Sequence, residues 1–353
     1  MQGSPKTVDY EGASAAAFHG DAAAEWAAAD SGAALFDAPW KRFFPAVGEE
    51  RLVFLHGQVT ADVRSLAPGQ GTPAAVLSAQ GRPLALLALY EDGERTWIAT
   101  TAAAASATRA ALSRFLVADD CDFEEESEAP CRTLVGPRVP ALLEALGAGD
   151  AAAHAAARAW TVDRAHLGGQ SVLLFSRGDL RVPCCDVLVL ADDGTPGDAG
   201  AVDAALRAAG AVACGVDALE VLRIESGTPR FGVDVDDRRI ALEARLEWAI
   251  HFAKGCYVGQ EVIERAASRG RLNHEIALLV AQEPLPVGAS LEGGADLHVV
   301  TSAAHSPRLG WIALAMLPKD TATPGTEVVM GDGTRRVEAR VLEWPRARVL
   351  PGR

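Results

Sequence analysis

The sequence has 353 residues, enough for two or three packed domains with a substantial core. Its 33 basic against 47 acidic side chains give a net charge of −14, which disfavours extensive non-specific contact with nucleic acid. No apolar run reaches the roughly 18–20 residues a membrane-spanning helix needs, so no membrane contact is expected. The six cysteines, with only Cys184 and Cys185 close together, form no disulfide framework. The start Met1-Gln2-Gly3-Ser4-Pro5-Lys6 lacks the basic and apolar regions of a secretory signal, so the expected location is the cytoplasm, with reduced thiols.

In chain order, residues 22–29 predict an alanine-rich helix and 35–36 a strand. Residues 51–56 predict a short helix ended by Gly57. Strands at 74–78, 84–90 and 96–100, separated by Gln80-Gly81-Arg82-Pro83 and Asp92-Gly93, predict a three-stranded meander. A helix is expected over 103–116. The acidic run 124–128, closed by Ala129-Pro130, marks a boundary. Beyond it come strands at 134–135, 161–166, 171–176 and 187–189, with helices at 202–209 and 242–252. Strands and helices interleaved with hairpin turns predict an α+β fold. From 275 onward, short strands around turns such as Asp332-Gly333 predict a small β-barrel or sandwich. The organisation expected is 1–130 and 131–270 as two α+β units, and 271–353 as a C-terminal β-barrel.

The unusual residues lie between 219 and 270. Arg223-Ile224-Glu225-Ser226-Gly227 comes first, then a run from Lys254 through Gly255, Cys256, Tyr257, Val258, Gly259 and Gln260 to Glu261, with Arg265 four residues on. Glycines on both sides of Cys256 permit a tight turn that presents the thiol. Lys254, Arg265, Arg269 and Arg271 against Glu261 and Glu264 make 254–271 a local +2 in an acidic chain. Such a setting lowers a thiol's pKa and favours the reactive thiolate. The alternatives are a small buried cysteine and a solvated helix face. No Cys-x-x-Cys or His-Glu-x-x-His spacing supports a zinc site, and no metal is expected. Cys184 and Cys185 read as core. Trp160, Trp248 and Trp311 read as core or pocket walls.

The run Lys254–Glu261 with Arg265 resembles the K-G-C-Y-x-G-Q-E-x-x-x-R signature of the YgfZ-type folate-binding proteins, relatives of the glycine-cleavage T-protein. Residues 54–63 resemble that family's F-L-H/Q-G-Q-x-T-N-D-V run, with Ala61-Asp62 where the family has Asn-Asp. Residues 78–82 resemble its Q-G-R turn, and 301–315 resemble the shared C-terminal barrel pattern. The resemblance implies linked α+β domains around a central opening that binds tetrahydrofolate or a derivative. It also implies an accessory role in assembly or repair of iron–sulfur enzymes, including those that thiolate tRNA, with iron–sulfur enzymes or assembly factors as partners. By the same resemblance Glu225 contacts the pterin beside Arg223, and Asp62 and Trp248 belong to the folate site. Cys256 is then the functional thiol, supported by Lys254, Tyr257, Gln260, Glu261 and Arg265. Relatives carry an acid where this chain has Ala85-Leu86, which argues against aminomethyl transfer. A folate-dependent aminomethyl or one-carbon transferase is the alternative reading.

Overall fold

The meander expected over residues 74–100 forms, as three strands of a larger antiparallel sheet. In the computed structural model, which describes residues 6–270 and 272–345, this sheet has the order Gly71–Leu77, Pro83–Glu91, Thr96–Thr101, Lys41–Val47, Asp122–Phe123. A second sheet of six strands runs Thr161–Leu167, Gln170–Arg177, Cys184–Leu190, Cys131–Val135, Ala34–Asp37, Val212–Ala213. Its last pair is parallel and the others antiparallel. It therefore draws strands from before residue 40 and from beyond 210. A hairpin of Thr7–Tyr10 and Ala13–Ala16 stands apart from both.

The helices are α1 (Ala22–Ser31), α2 (Arg51–Gln58), α3 (Ala105–Ser113), α4 (Val139–Ala145), α5 (Gly149–Ala157), α6 (Ala199–Ala208), α7 (Val216–Glu225) and α8 (Gln260–Arg269). Gly57 lies inside α2 rather than ending it, and α3 is shorter at both ends than the sequence suggests. Among the described residues no helix is long and apolar enough to cross a membrane.

The expected helix over 242–252 does not form. Leu242, Leu246, Ala249 and Ile250 are buried as their apolar character requires, but on a chain of turns with one 3-10 turn at Glu247–Ala249. Arg245 breaks any helix there, with φ of +52°. Its guanidinium pairs with Glu275, donates to the Ile276 carbonyl and lies over the Trp344 ring.

The C-terminal strands form a third sheet, in the order Ser290–Leu291, Glu327–Gly331, Arg336–Val341, His274–Ala281, Gly310–Pro318, Val300–Ser306. Side chains alternate between its faces, and both faces are buried. Ala277 and Leu279 enter the barrel's own core, whereas Ile276 and Leu278 pack with Val221 and Ile224 of α7. These features make an α+β fold with a C-terminal barrel sheet.

The two α+β sheets meet at Phe175, which is fully buried. Its ring stacks on Phe43 at 4.7 Å and meets Tyr90 edge-on at 4.9 Å, both from the first sheet. Phe175→Ala is expected to cost about 3–5 kcal/mol, read as a lower midpoint in urea with a cooperative transition retained.

Candidate functional site

Between these two sheets, the N-terminal hairpin and α7 lies a cleft with two adjoining compartments. The inner one, about 140 Å³, is walled by Tyr10, Leu86, Trp160 and Trp248. The outer one, about 460 Å³, is bordered by Asp62, Arg158 and His251, and shares Trp160 and Trp248 with the first. Those two indoles lie nearly parallel, with centroids 6.4 Å apart and 15° between planes. The strand Pro83–Glu91 presents Leu86, Ala88 and Tyr90 to the inner compartment by its two-residue period. Ala85 faces the core on the other side. The place where relatives carry an acid is therefore an apolar part of the wall.

Charged groups line the floor of the inner compartment. The Asp186 carboxylate, almost fully buried, accepts from Thr133 Oγ1 at 2.7 Å and lies 3.1 Å from Arg177 Nε and 3.3 Å from Lys41 Nζ. Arg177 also donates to Asp179 at 2.8 Å. Arg223, from α7, pairs with Glu220 and with Asp234 at 2.6 Å. Its pKa is raised by Asp234 and then Glu220 against the opposing effect of burial, so it stays a cation. Glu11, from the hairpin turn, and Arg230 complete the ring of charges.

Glu225 is not brought to the cleft. Two residues along a helix turn the side chain by about 200°, so Arg223 faces the cleft while Glu225 faces the barrel. Its carboxylate is fully buried, accepting from Arg181 Nε at 2.9 Å, from Arg308 at 3.1 Å and from Ser306 Oγ. It ties α7 to the loop after Arg177 and to the barrel. Asp62 and Trp248 do border the cleft. Asp62 Oδ1 stands 3.1 Å from His56 Nδ1.

The run 254–261 lies beside the cleft as an external strap. Lys254 is buried, and its ammonium donates to the carbonyl oxygens of His56, Val59 at 2.6 Å and Ala61 at 2.9 Å. Burial pulls its pKa down to about 8. The ring of Tyr257 lies 5.0 Å from that ammonium, and burial raises the phenol to about 12. Gly259 begins α8 with φ of +86°, and a β-carbon there would lie 2.5 Å from the Ser78 carbonyl oxygen. The glycine is thus fixed by contact with the 78–82 turn. Gln260 donates to Glu264 at 2.6 Å, and Arg265 pairs with Glu261.

Cys256 is exposed, and neither compartment includes it, whereas the other five cysteines are buried. The positive surrounding expected from the sequence is reduced: Lys254 is committed to three carbonyls and Arg265 to Glu261. Arg271 and the Arg269 side chain lie outside the described residues. Sequence reasoning missed Glu11, Lys41, Arg177, Asp179 and Asp186, because they converge only when two sheets and a hairpin pack. Lys254→Met is expected to strand three carbonyls and cost roughly 2–4 kcal/mol, seen as a lower melting temperature. Cys256→Ser should leave that temperature unchanged.

Comparison with known proteins places this architecture. Residues 5–254 match the GCVT N-terminal domain, and 276–346 match the glycine cleavage T-protein C-terminal barrel domain. The aminomethyltransferase of Bacillus subtilis (strain 168) is 25% identical over 96% of this chain and 94% of its own length. The aminomethyltransferase of Rubrobacter xylanophilus is 28% identical over 96% and 90%. The crystal structure of glycine cleavage system aminomethyltransferase T from Bartonella henselae superposes with a TM-score of 0.83 at 20% identity, over 97% of this chain and 94% of that one. The chain belongs to the family defined by the GCVT N-terminal domain and the T-protein C-terminal barrel.

Proposed function

We propose that the two-compartment cleft is a tetrahydrofolate site and that this chain handles a one-carbon unit carried by that folate. The carrying observation is the pair of compartments joined across Trp160 and Trp248. A folate is a flat heterocycle joined to a long anionic tail. The inner compartment supplies aromatic walls and charged partners for the heterocycle, and the outer one supplies length, with Arg158 and His251 toward the tail. When bound, tetrahydrofolate supplies the N5 and N10 nitrogens that carry a one-carbon unit. The paired charges of Lys41, Arg177 and Arg223 with their carboxylates give the inner floor both donors and acceptors, and Trp248 holds the plane of the heterocycle.

Aminomethyl or one-carbon transfer is the reaction class favoured by the relatives, which are named aminomethyltransferases and match along nearly the whole chain. A specific observation favours a second reading, a folate-binding accessory protein of the YgfZ type for iron–sulfur enzymes, acting through Cys256. Leu86 puts a hydrocarbon where transfer calls for a proton-handling acid, and Cys256 stands exposed on the strap, open to a protein partner. Under that reading the cleft holds the folate and the strap meets an iron–sulfur enzyme or assembly factor.

Two measurements separate the readings. Turnover of tetrahydrofolate with an aminomethyl donor, unaffected by Cys256→Ser, supports transfer. Rescue of iron–sulfur enzyme activity in a strain lacking its own YgfZ-type protein, abolished by Cys256→Ser, supports the accessory role. Both require folate binding, so Trp248→Ala is expected to weaken tetrahydrofolate about tenfold by calorimetry. Unchanged affinity would remove Trp248 from the site.

A further inference from the structure

Outside the cleft, two histidines meet at one edge of the barrel. His274 opens the strand His274–Ala281, and His298 closes the turn that follows Ser290–Leu291. His274 Nδ1 lies 3.0 Å from His298 Nε2. His298 is buried, and its Nδ1 accepts from the Ala295 N–H at 3.0 Å. A backbone amide has only a proton to offer, so that contact fixes the tautomer. His298 carries its lone pair on Nδ1 and its proton on Nε2, which donates to the Nδ1 lone pair of His274. Both rings are then neutral, and both Nδ1 atoms are acceptors. His298 Nε2 keeps no lone pair for a metal, and no group of three metal-binding side chains occurs among the described residues.

The pair sits at a junction. Its turn is closed by the Leu291 N–H on the His298 carbonyl at 2.8 Å and the Gly294 N–H on the Leu291 carbonyl at 2.9 Å. A β-carbon at Gly294 would lie 3.0 Å from His298 Nδ1, so backbone and ring are in close contact. Arg239, also buried, donates to the Leu297 carbonyl at 3.1 Å. Just after it, the Ala241 N–H donates to the Gly81 carbonyl at 3.0 Å, and the chain runs on to Trp248. The turn thus links the barrel to the segment that carries the shared wall of the cleft.

A further proton breaks one of the pair's two bonds wherever it is placed. On His298 Nδ1 it displaces the Ala295 amide. On His274 Nδ1 it faces the Nε2 proton of His298, and the bond between the rings is lost. If the His298 proton then moves to Nδ1 to restore that bond, the Ala295 amide is displaced instead. Among the described residues the surrounding charges do not offset this. Arg239 faces His298 and lies 3.4 Å from Asp236, Glu275 beside His274 is taken by Arg245 and Lys319, and Asp296 on the turn is exposed. Burial, then His274 and Arg239, lower the pKa of His298. Below about pH 6.5 the unfolded chain therefore binds more protons than the native one. The stability the pair contributes is intact above that pH and lost as pH falls through the native value.

We propose that the His274–His298 pair is a proton-sensitive latch: neutral, it holds the turn 292–298 against the barrel and Arg239, and one added proton releases the turn. The latch works whatever the cleft binds.

Hydrogen exchange followed by NMR on the full chain, from about pH 8 to about pH 5, tests this, with each rate taken relative to an unstructured peptide at the same pH. In wild type the Ala295 and Leu291 amides are expected to lose protection by more than about tenfold on acidification. Amides of the strand Gly310–Pro318 should keep theirs. His298→Asn places an amide oxygen where Nδ1 lies but takes up no proton, so its Ala295 protection should not change with pH. His274→Gln keeps an acceptor for Nε2 and leaves His298 titrating, so it should still show the loss. Wild-type protection that stays constant across the range overturns the proposal, as does an equal loss in His298→Asn. So does a wild-type imidazole nitrogen spectrum at about pH 8 with the His298 proton on Nδ1, a readout that needs no variant to fold.

Discussion

The stitching of residues 249–254 onto residues 56–61 is the constraint on which the cleft depends. Lys254 gives its protons to three carbonyls in the last turn of α2 and just beyond it, and Thr60 Oγ1 donates to the Ala249 carbonyl while accepting from the Ala75 N–H at 2.8 Å. His251 N–H adds a bond to the Thr60 carbonyl at 2.9 Å. Each of these bonds is buried or partly buried, so losing one leaves an unsatisfied polar group out of water. Together they pin the irregular segment 249–254 in place. Trp248 lies at its start, which sets the wall common to both compartments. The lysine that reads in sequence as an activator of the neighbouring thiol is first of all the anchor of that wall.

The second constraint is the pairing of buried charges. Asp186 with Lys41, and Glu225 with Arg181 and Arg308, join elements far apart in the sequence, while Asp186–Arg177 and Asp234–Arg223 pair residues within about a dozen positions. Buried pairs of this kind contribute little net stability but are costly to break singly, so they fix how the sheets, α7 and the barrel meet. In the inner compartment Asp179 and Asp186 both pair with Arg177. A net acidic chain thereby builds a cleft whose floor mixes cations with carboxylates, suited to a polar heterocycle that both donates and accepts hydrogen bonds.

Much of the fold was legible because it is local. The hairpin turns at Gly81 and Gly93, the period-two strands, and the β-rich C-terminal third follow from turn chemistry and alternation. The run 254–261 also stood out, and its second glycine has a clear reason in the contact with Ser78. What was not legible is non-local. The spacing of Leu242, Leu246 and Ala249 reads as a helix, yet burial alone explains it once Arg245 turns away to Glu275. Which of Arg223 and Glu225 faces the ligand depends on how α7 sits against the barrel. The charged groups of the inner floor carry no motif, because Glu11, Lys41, Arg177, Asp179 and Asp186 meet only when the hairpin and the two sheets pack.

The central claim is that the cleft bounded by Trp160 and Trp248 receives tetrahydrofolate. A crystal structure of the full chain with tetrahydrofolate tests it most directly. The heterocycle is predicted in the inner compartment against Leu86 and Trp248, with the tail running through the outer compartment past His251. Density for the ligand elsewhere, such as the groove between α1, α7 and the barrel near Trp26 and His305, would contradict the account.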